Sequence, residues 1–187
     1  MRAAGAVAFV TIIDGKGDEG IGSAFHIGQG IFVTARHVID GAKIKEIATT
    51  KSARLSEEAG GKTAPPRRLE IVDGPYFGPD GLDVAVFRVD LGDTPLPAIT
   101  VSQHTDASLG EDDLVLSDIL VIGYPPIPFT TIPSQAVTLG QINAVVRVRH
   151  SPVLHFIASA IARGGFSGGA ALDPSGTALA LVTESLG

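Results

Sequence analysis

The chain reads as an all-β protein, a sandwich or barrel laid out in two halves. Three observations predict this. Short β-branched runs recur between Gly, Pro and Asp punctuation. No long stretch keeps an apolar rhythm of about 3.6 residues, so helices are expected to be few and short. Gly 23 and Pro 12 among 187 residues suit strands joined by tight turns.

The first expected strand is Ala6–Ile13. The leading residues carry a single Arg and a short apolar run, which also suits a signal peptide. No A-x-A site followed by a polar start is visible, and the run leads straight into Gly15-Lys16-Gly17. A strand ending in a hairpin loop fits better. Ile21–Ile27 and Ile31–Thr34 follow, then a single helical turn over Ala35–Asp40, then Ile44–Thr49, Arg68–Val72 and Val84–Val89. Ser52–Pro66 reads as an exposed loop, and the basic residues between Lys43 and Arg68 as a solvated surface. The polar stretch Thr100–Asp113 lacks a strand pattern and reads as a connection. A second series comprises Leu114–Gly123, Ala136–Val148, Leu154–Ala160, Gly169–Leu172 and Ala178–Thr183. The expected organisation is a first half at 1–100, a connection at 101–113 and a second half at 114–187. With 44% hydrophobic residues, the chain can bury one or two small cores, built mainly from Val, Ile, Leu and Ala because Trp is absent.

Composition also narrows function. The net charge of −6 makes nucleic acid a poor first partner. Zero Cys removes disulfides, thiolate metal sites and cysteine nucleophiles. It suits a reducing compartment, so a cytoplasmic location is expected, with an exported form left open. No run reaches the roughly 18 apolar residues of a membrane span. No H-E-x-x-H spacing is present, and neither a metal nor a cofactor is expected. Gly15-Lys16-Gly17-Asp18-Glu19-Gly20 satisfies G-x-G-x-x-G, but a strand follows it instead of a helix, and two acids would repel phosphate. It is a chance match in a hairpin.

Three patterns carry chemistry, in a meaningful order. Gly22-Ser23-Ala24-Phe25-His26-Ile27-Gly28 leads into Ile31-Phe32-Val33-Thr34-Ala35-Arg36-His37-Val38. Leu82-Asp83-Val84-Ala85-Val86-Phe87 comes second. Gly164-Gly165-Phe166-Ser167-Gly168-Gly169-Ala170 comes third. Together they resemble the T-A-x-H, D-[IV]-A-[VL] and G-x-S-G-G signatures of trypsin-like serine peptidases, especially the compact bacterial ones. The resemblance implies two six-stranded antiparallel barrels with an active site in the cleft between them. It implies His37, Asp83 and Ser167 as a catalytic triad, with the amides of Gly165 and Ser167 as an oxyanion hole. The chemistry is consistent. A serine hydroxyl needs an adjacent base to attack at neutral pH. His37 would take that proton and return it to the leaving amine, while a buried Asp83 held the other ring nitrogen. One oxyanion donor contributes on the order of 3 kcal/mol to the transition state. The implied partner is a peptide in extended conformation, and the implied reaction is endopeptidase cleavage through an acyl-enzyme. Taken alone, each of these residues has an ordinary structural reading, such as a surface His, a turn Asp or a glycine turn. Their order is what argues for function. His26, His104, His150 and His155 lack such a setting, although His155 is a candidate to line the cleft.

The G-x-S-x-G elbow of α/β-hydrolases also matches at Ser167, but that fold needs a His after the Ser and none follows. Departures from the resembled pattern matter too. Phe166 stands where Asp or Asn is usual, so activation by a newly cut N-terminal amine is not expected. That leaves open what holds the oxyanion loop. The resemblance implies that Ile161, six residues before Ser167, falls at the primary specificity position. With Ala162, Leu181, Val182 and Thr183 it is expected to form a pocket for a small or medium apolar side chain. Only four residues follow Thr183. Either the chain is a fragment of a longer protein, or the second barrel is left incomplete, with an open edge inviting an oligomer contact or a further domain. The alternatives are a catalytically silent peptide- or partner-binding module and a sensor that cleaves one partner once its oxyanion loop is ordered.

Overall fold

The computed structural model of the chain describes residues 2–50, 66–93, 95–104, 109, 113–149 and 151–183. A 3-10 turn, Arg2–Ala6, leads into β1 (Val7–Ile13), β2 (Glu19–Gly28) and β3 (Ile31–Thr34). The single turn α1 (Arg36–Ile39) follows, then β4 (Lys43–Thr49), β5 (Arg67–Arg68), β6 (Glu70–Phe77) and β7 (Ala85–Asp90). The second half holds β8 (Asp118–Gly123), β9 (Ala136–Arg147), β10 (Leu154–Ala158), β11 (Ala170–Leu172) and β12 (Ala178–Leu181). All named strand pairs are antiparallel. The architecture is almost all-β, with two curled sheets of seven and five strands in place of two sets of six.

The first sheet runs β5-β4-β1-β2-β3-β7-β6. Its two end strands are separated in sequence by Leu69 alone, whose N–H donates to Ile47 O at 2.8 Å. The sheet therefore curls until its ends meet. This corrects the expected single strand Arg68–Val72. The chain switches edges at buried Leu69, and β6 then continues through Asp73-Gly74-Pro75 to Phe77. Those three residues look like turn punctuation, but they sit at the irregularities in the β6–β7 register, where a strand tolerates Pro.

The second sheet runs β10-β9-β8-β11-β12. The expected strand Leu114–Gly123 starts only at Asp118. Residues 113–116 form a turn, closed by Ser117 N–H to Leu114 O at 3.0 Å. The polar connection is also more ordered than expected. Val101 makes a parallel bridge to Ala178, so the edge of β12 is partly covered there. Ser52–Pro66 lies outside the described residues save for Pro66.

Strand alternation places three apolar clusters. Ala8, Val10, Ala24, Phe32 and Phe87 fill the first sheet. Ile119, Val121, Ile142, Phe166 and Ala171 fill the second. Between them, Val7, Phe9 and Phe25 meet Ile122, Tyr124, Ala170 and Leu172. The residues of β1 thus alternate between the first core and the inter-sheet layer. That layer sets one half of the molecule against the other, and the Ser167 loop bonds across to Ser23 of the first half.

Candidate active site

His37 sits on α1, whose Val38 and Ile39 are buried and leave the imidazole outward. Asp83, just before β7, reaches it with both oxygens. Oδ1 accepts the His37 backbone N–H at 2.9 Å, and Oδ2 lies 2.6 Å from His37 Nδ1. A carboxylate only accepts, so Nδ1 carries the hydrogen and the neutral ring offers its lone pair at Nε2. The pair is less enclosed than expected, with side-chain exposures of 48% for His37 and 32% for Asp83. The anticipated burial of Asp83 is corrected accordingly. A shallow depression of about 300 Å³ adjoins the pair, lined by Arg36, His37, Asp40, Gly81, Leu82 and Asp83. Arg36 pairs with Asp40 at 2.8 Å and covers the ring of Phe77 at 5.1 Å. Its hydrogen bond to Asp40, helped by the charge of Asp40, raises the guanidinium pKa above its ordinary value.

Ser167 follows a tight turn over residues 163–166, closed by Phe166 N–H to Arg163 O at 3.1 Å. Gly165 takes the third place of that turn with φ +90°, a conformation that favours glycine and marks a type II turn. Among the described residues, no hydrogen bond uses the N–H of Gly165 or of Ser167. Phe166 is 3% exposed and inserts into the second core, so apolar burial anchors the loop at this position. The loop also docks on the first half. Ser167 O accepts Ser23 N–H at 2.8 Å. A Cβ at Gly168 (φ +84°) would lie 2.0 Å from Ser23 O and 2.3 Å from Thr34 Oγ1. The Ser167 hydroxyl donates to Thr183 O at 3.3 Å, and no hydrogen bond joins it to His37.

The other sequence-derived positions differ in exposure, and Val182 and Thr183 run beside the Ser167 loop, where Gly168 N–H donates to Val182 O at 2.8 Å. Ile161 is 64% exposed. Ala162 and Val182 pack against the second core, and Leu181 against the first core and the inter-sheet layer. Thr183 contributes its carbonyl to Ser167. His155 lies on β10 opposite Val146, its Nε2 buried without a hydrogen-bond partner, and no bond ties it to the Ser167 loop. His104 offers its backbone N–H to Ser102, and His150 lies outside the described residues.

Two residues given no role from sequence matter to the architecture of the site. His26 is 2% exposed, with Nδ1 2.7 Å from Pro97 O and Nε2 accepting Gly30 N–H at 3.0 Å. It tethers the segment that follows β7 to β2. Ser23 bonds to the Ser167 loop through both backbone and side chain. The small pair Gly22-Ser23 is the one local feature that could have marked a close approach, but its partner lies more than a hundred residues away in sequence. Among the described residues, no group of His, Asp or Glu could hold a metal ion, and no helix is long and apolar enough to cross a membrane.

Comparison with known proteins agrees with this architecture. Among solved structures, the HtrA-type protease AlgW with a tripeptide is 25% identical, with a TM-score of 0.64. The match covers 96% of this chain and 51% of AlgW, so the chain spans about half the length of that protein. A serine endoprotease from Yersinia pestis is 23% identical with a TM-score of 0.65, covering 99% of this chain and 56% of that one. A protease from M. tuberculosis in its active form is 19% identical with a TM-score of 0.65, covering 98% and 71%. No curated protein matches the chain. The model of the family described as trypsin-like peptidase domain matches residues 22–181. The chain belongs to the trypsin-like peptidase domain family.

Proposed function

We propose that the chain is a serine endopeptidase that cleaves peptide bonds through an acyl-enzyme. The observation that carries this reading is the two-point grip of Asp83 on His37, which leaves Nε2 as the basic nitrogen. In the proposed reaction the Ser167 hydroxyl turns from Thr183 O to His37 Nε2 and gives up its proton as Oγ attacks the scissile carbonyl. The new C–O bond forms as the carbonyl π pair moves onto oxygen. The amides of Gly165 and Ser167 receive that oxyanion. His37 then protonates the leaving amine as the C–N bond breaks. Water, deprotonated by the same imidazole, releases the acyl group and restores Ser167. Asp83 stabilises the imidazolium in both halves. An extended peptide would lie in the cleft by main-chain pairing. Ile161 and its neighbours, with no carboxylate among them, would favour small or medium apolar side chains over Arg or Lys.

A peptide-binding module without catalysis is the second reading. It is favoured by one observation, that Ser167 Oγ bonds to Thr183 O and not to His37. Covalent labelling with a fluorophosphonate separates the two. Wild type is expected to label, and both Ser167→Ala and His37→Ala are expected to lose labelling. A folded wild type that never labels would overturn the peptidase reading.

A further inference from the structure

Phe166 has no charge with which to hold the oxyanion turn, yet that turn is pinned by a polar group from the other half of the molecule. Ser23, on β2, is fully buried, and each of its polar atoms is engaged. Its Oγ donates to Gly165 O at 2.7 Å and accepts Tyr124 N–H at 2.8 Å. Its N–H donates to Ser167 O at 2.8 Å, and its O accepts the Thr34 hydroxyl at 2.7 Å. Ser23 therefore binds the carbonyls on both sides of Phe166.

A peptide group is a rigid plane, so holding its two ends fixes its orientation. The plane between Gly165 and Phe166 is held at its oxygen by Ser23 Oγ and at its N–H by Arg163 O. Gly165 N–H belongs to the preceding plane, which is oriented from this fixed one through Gly165 at φ +90°. Neighbouring atoms leave Gly165 little room, since a Cβ there would lie 2.5 Å from Tyr124 O. Tyr124 N–H in turn sets the direction of the Ser23 hydroxyl. We infer that Ser23 is a positioning residue for the proposed peptidase reaction, its hydroxyl holding the Gly165 carbonyl so that Gly165 N–H stays free for the oxyanion. Without that hydroxyl a buried carbonyl loses its donor, which strongly favours rearrangement of the turn. The inference rests on the peptidase reading for its kinetic consequence but not for its structural one.

The test compares wild type with Ser23→Ala and Ser23→Cys, the latter a weaker donor of similar size. Per folded molecule, kcat on a peptide substrate is expected to fall about 30- to 100-fold in Ser23→Ala, with KM within about 3-fold. Ser23→Cys is expected to lie between, and it carries the comparison if the Ala variant does not fold. Affinity for a peptide aldehyde, which forms a tetrahedral adduct, should fall in parallel, while affinity for the matched alcohol should hold. Unchanged kcat, or equal losses for aldehyde and alcohol, would overturn the inference. A crystal structure of the variant supplies an activity-independent readout. Gly165 is expected to leave the positive-φ region, and a turn that keeps its wild-type conformation would also overturn the role of Ser23. If wild type never labels with fluorophosphonate, the peptidase reading fails while this structural comparison still decides the question.

Discussion

The two halves of the candidate site are held by different means. On the first, His37 and Asp83 meet side chain to side chain near solvent, on a one-turn helix anchored by two apolar residues. On the second, Ser167 is placed largely by backbone contacts in a crowded interior, with Gly165, Gly168 and Gly169 where a Cβ would meet backbone oxygens of Tyr124, Ser23 and Ile122. The first half depends on the chemical identity of two groups. The second depends on space that no side chain occupies. Substitutions at Asp83 should therefore act mainly on chemistry, and substitutions at the glycines of the Ser167 loop mainly on folding.

The largest expected effect is Asp83→Asn. An amide there would present its NH2 to Nδ1, favouring the tautomer that carries hydrogen on Nε2 and cannot act as base. Turnover should fall by about 10⁴ while the fold survives. A loss below tenfold in kcat/KM, at unchanged Tm, would break the claim that identity governs this half.

Next is Gly168→Ala. It places a methyl against the backbone oxygen of Ser23 and forces an L-residue into positive φ. A loss of about 3 kcal/mol or more is expected, seen as a fall in Tm of roughly 6–12 °C. The control is Arg36→Ala on the other half, which removes an exposed ion pair and a ring contact. It should leave Tm close to that of wild type, because an ion pair open to solvent is screened. Similar melting shifts for the two would erase the contrast.

The smallest expected effect is electrostatic. Asp173 tightens the turn from β11 to β12. Its carboxylate accepts the Ser175 hydroxyl at 2.6 Å and the Thr177 N–H at 2.9 Å. The Ser175 bond first, and then backbone donors, hold its pKa below the ordinary carboxylate range. Its folded-state pKa is lowered, so its contribution is present above the unfolded value and is lost as pH falls through the folded one. Asp173→Asn should lower Tm by at most a few degrees near neutrality. It should also flatten the decline of Tm below about pH 4. An unaltered acid limb would show that this carboxylate does not shape stability.

The same contrast governs what could be read from sequence. The outlines of β1, β3 and β7 and the turn at α1 are legible because apolar alternation and punctuation are local signals. His37, Asp83 and the Ser167 loop stand out because their short motifs contain both the reactive residue and the glycines or small residues around it. Ser23 and His26 were visible as residues but not as parts of the architecture, because their partners at Gly165 and Pro97 are distant in sequence. The edge switch at Leu69 was hidden because one residue sufficed to make it. The turn at residues 113–116 was hidden because Leu114, Val115 and Leu116 imitate a strand.

Because β1 feeds two apolar clusters at once, neither half owns that strand. Melting the first sheet would strip Val7 and Phe9 from the layer beneath the second. Heat or denaturant is therefore expected to dismantle the molecule in one cooperative transition. The spacing between the Ser167 loop and His37 is then a property of the whole globule, stable up to the temperature at which everything is lost together.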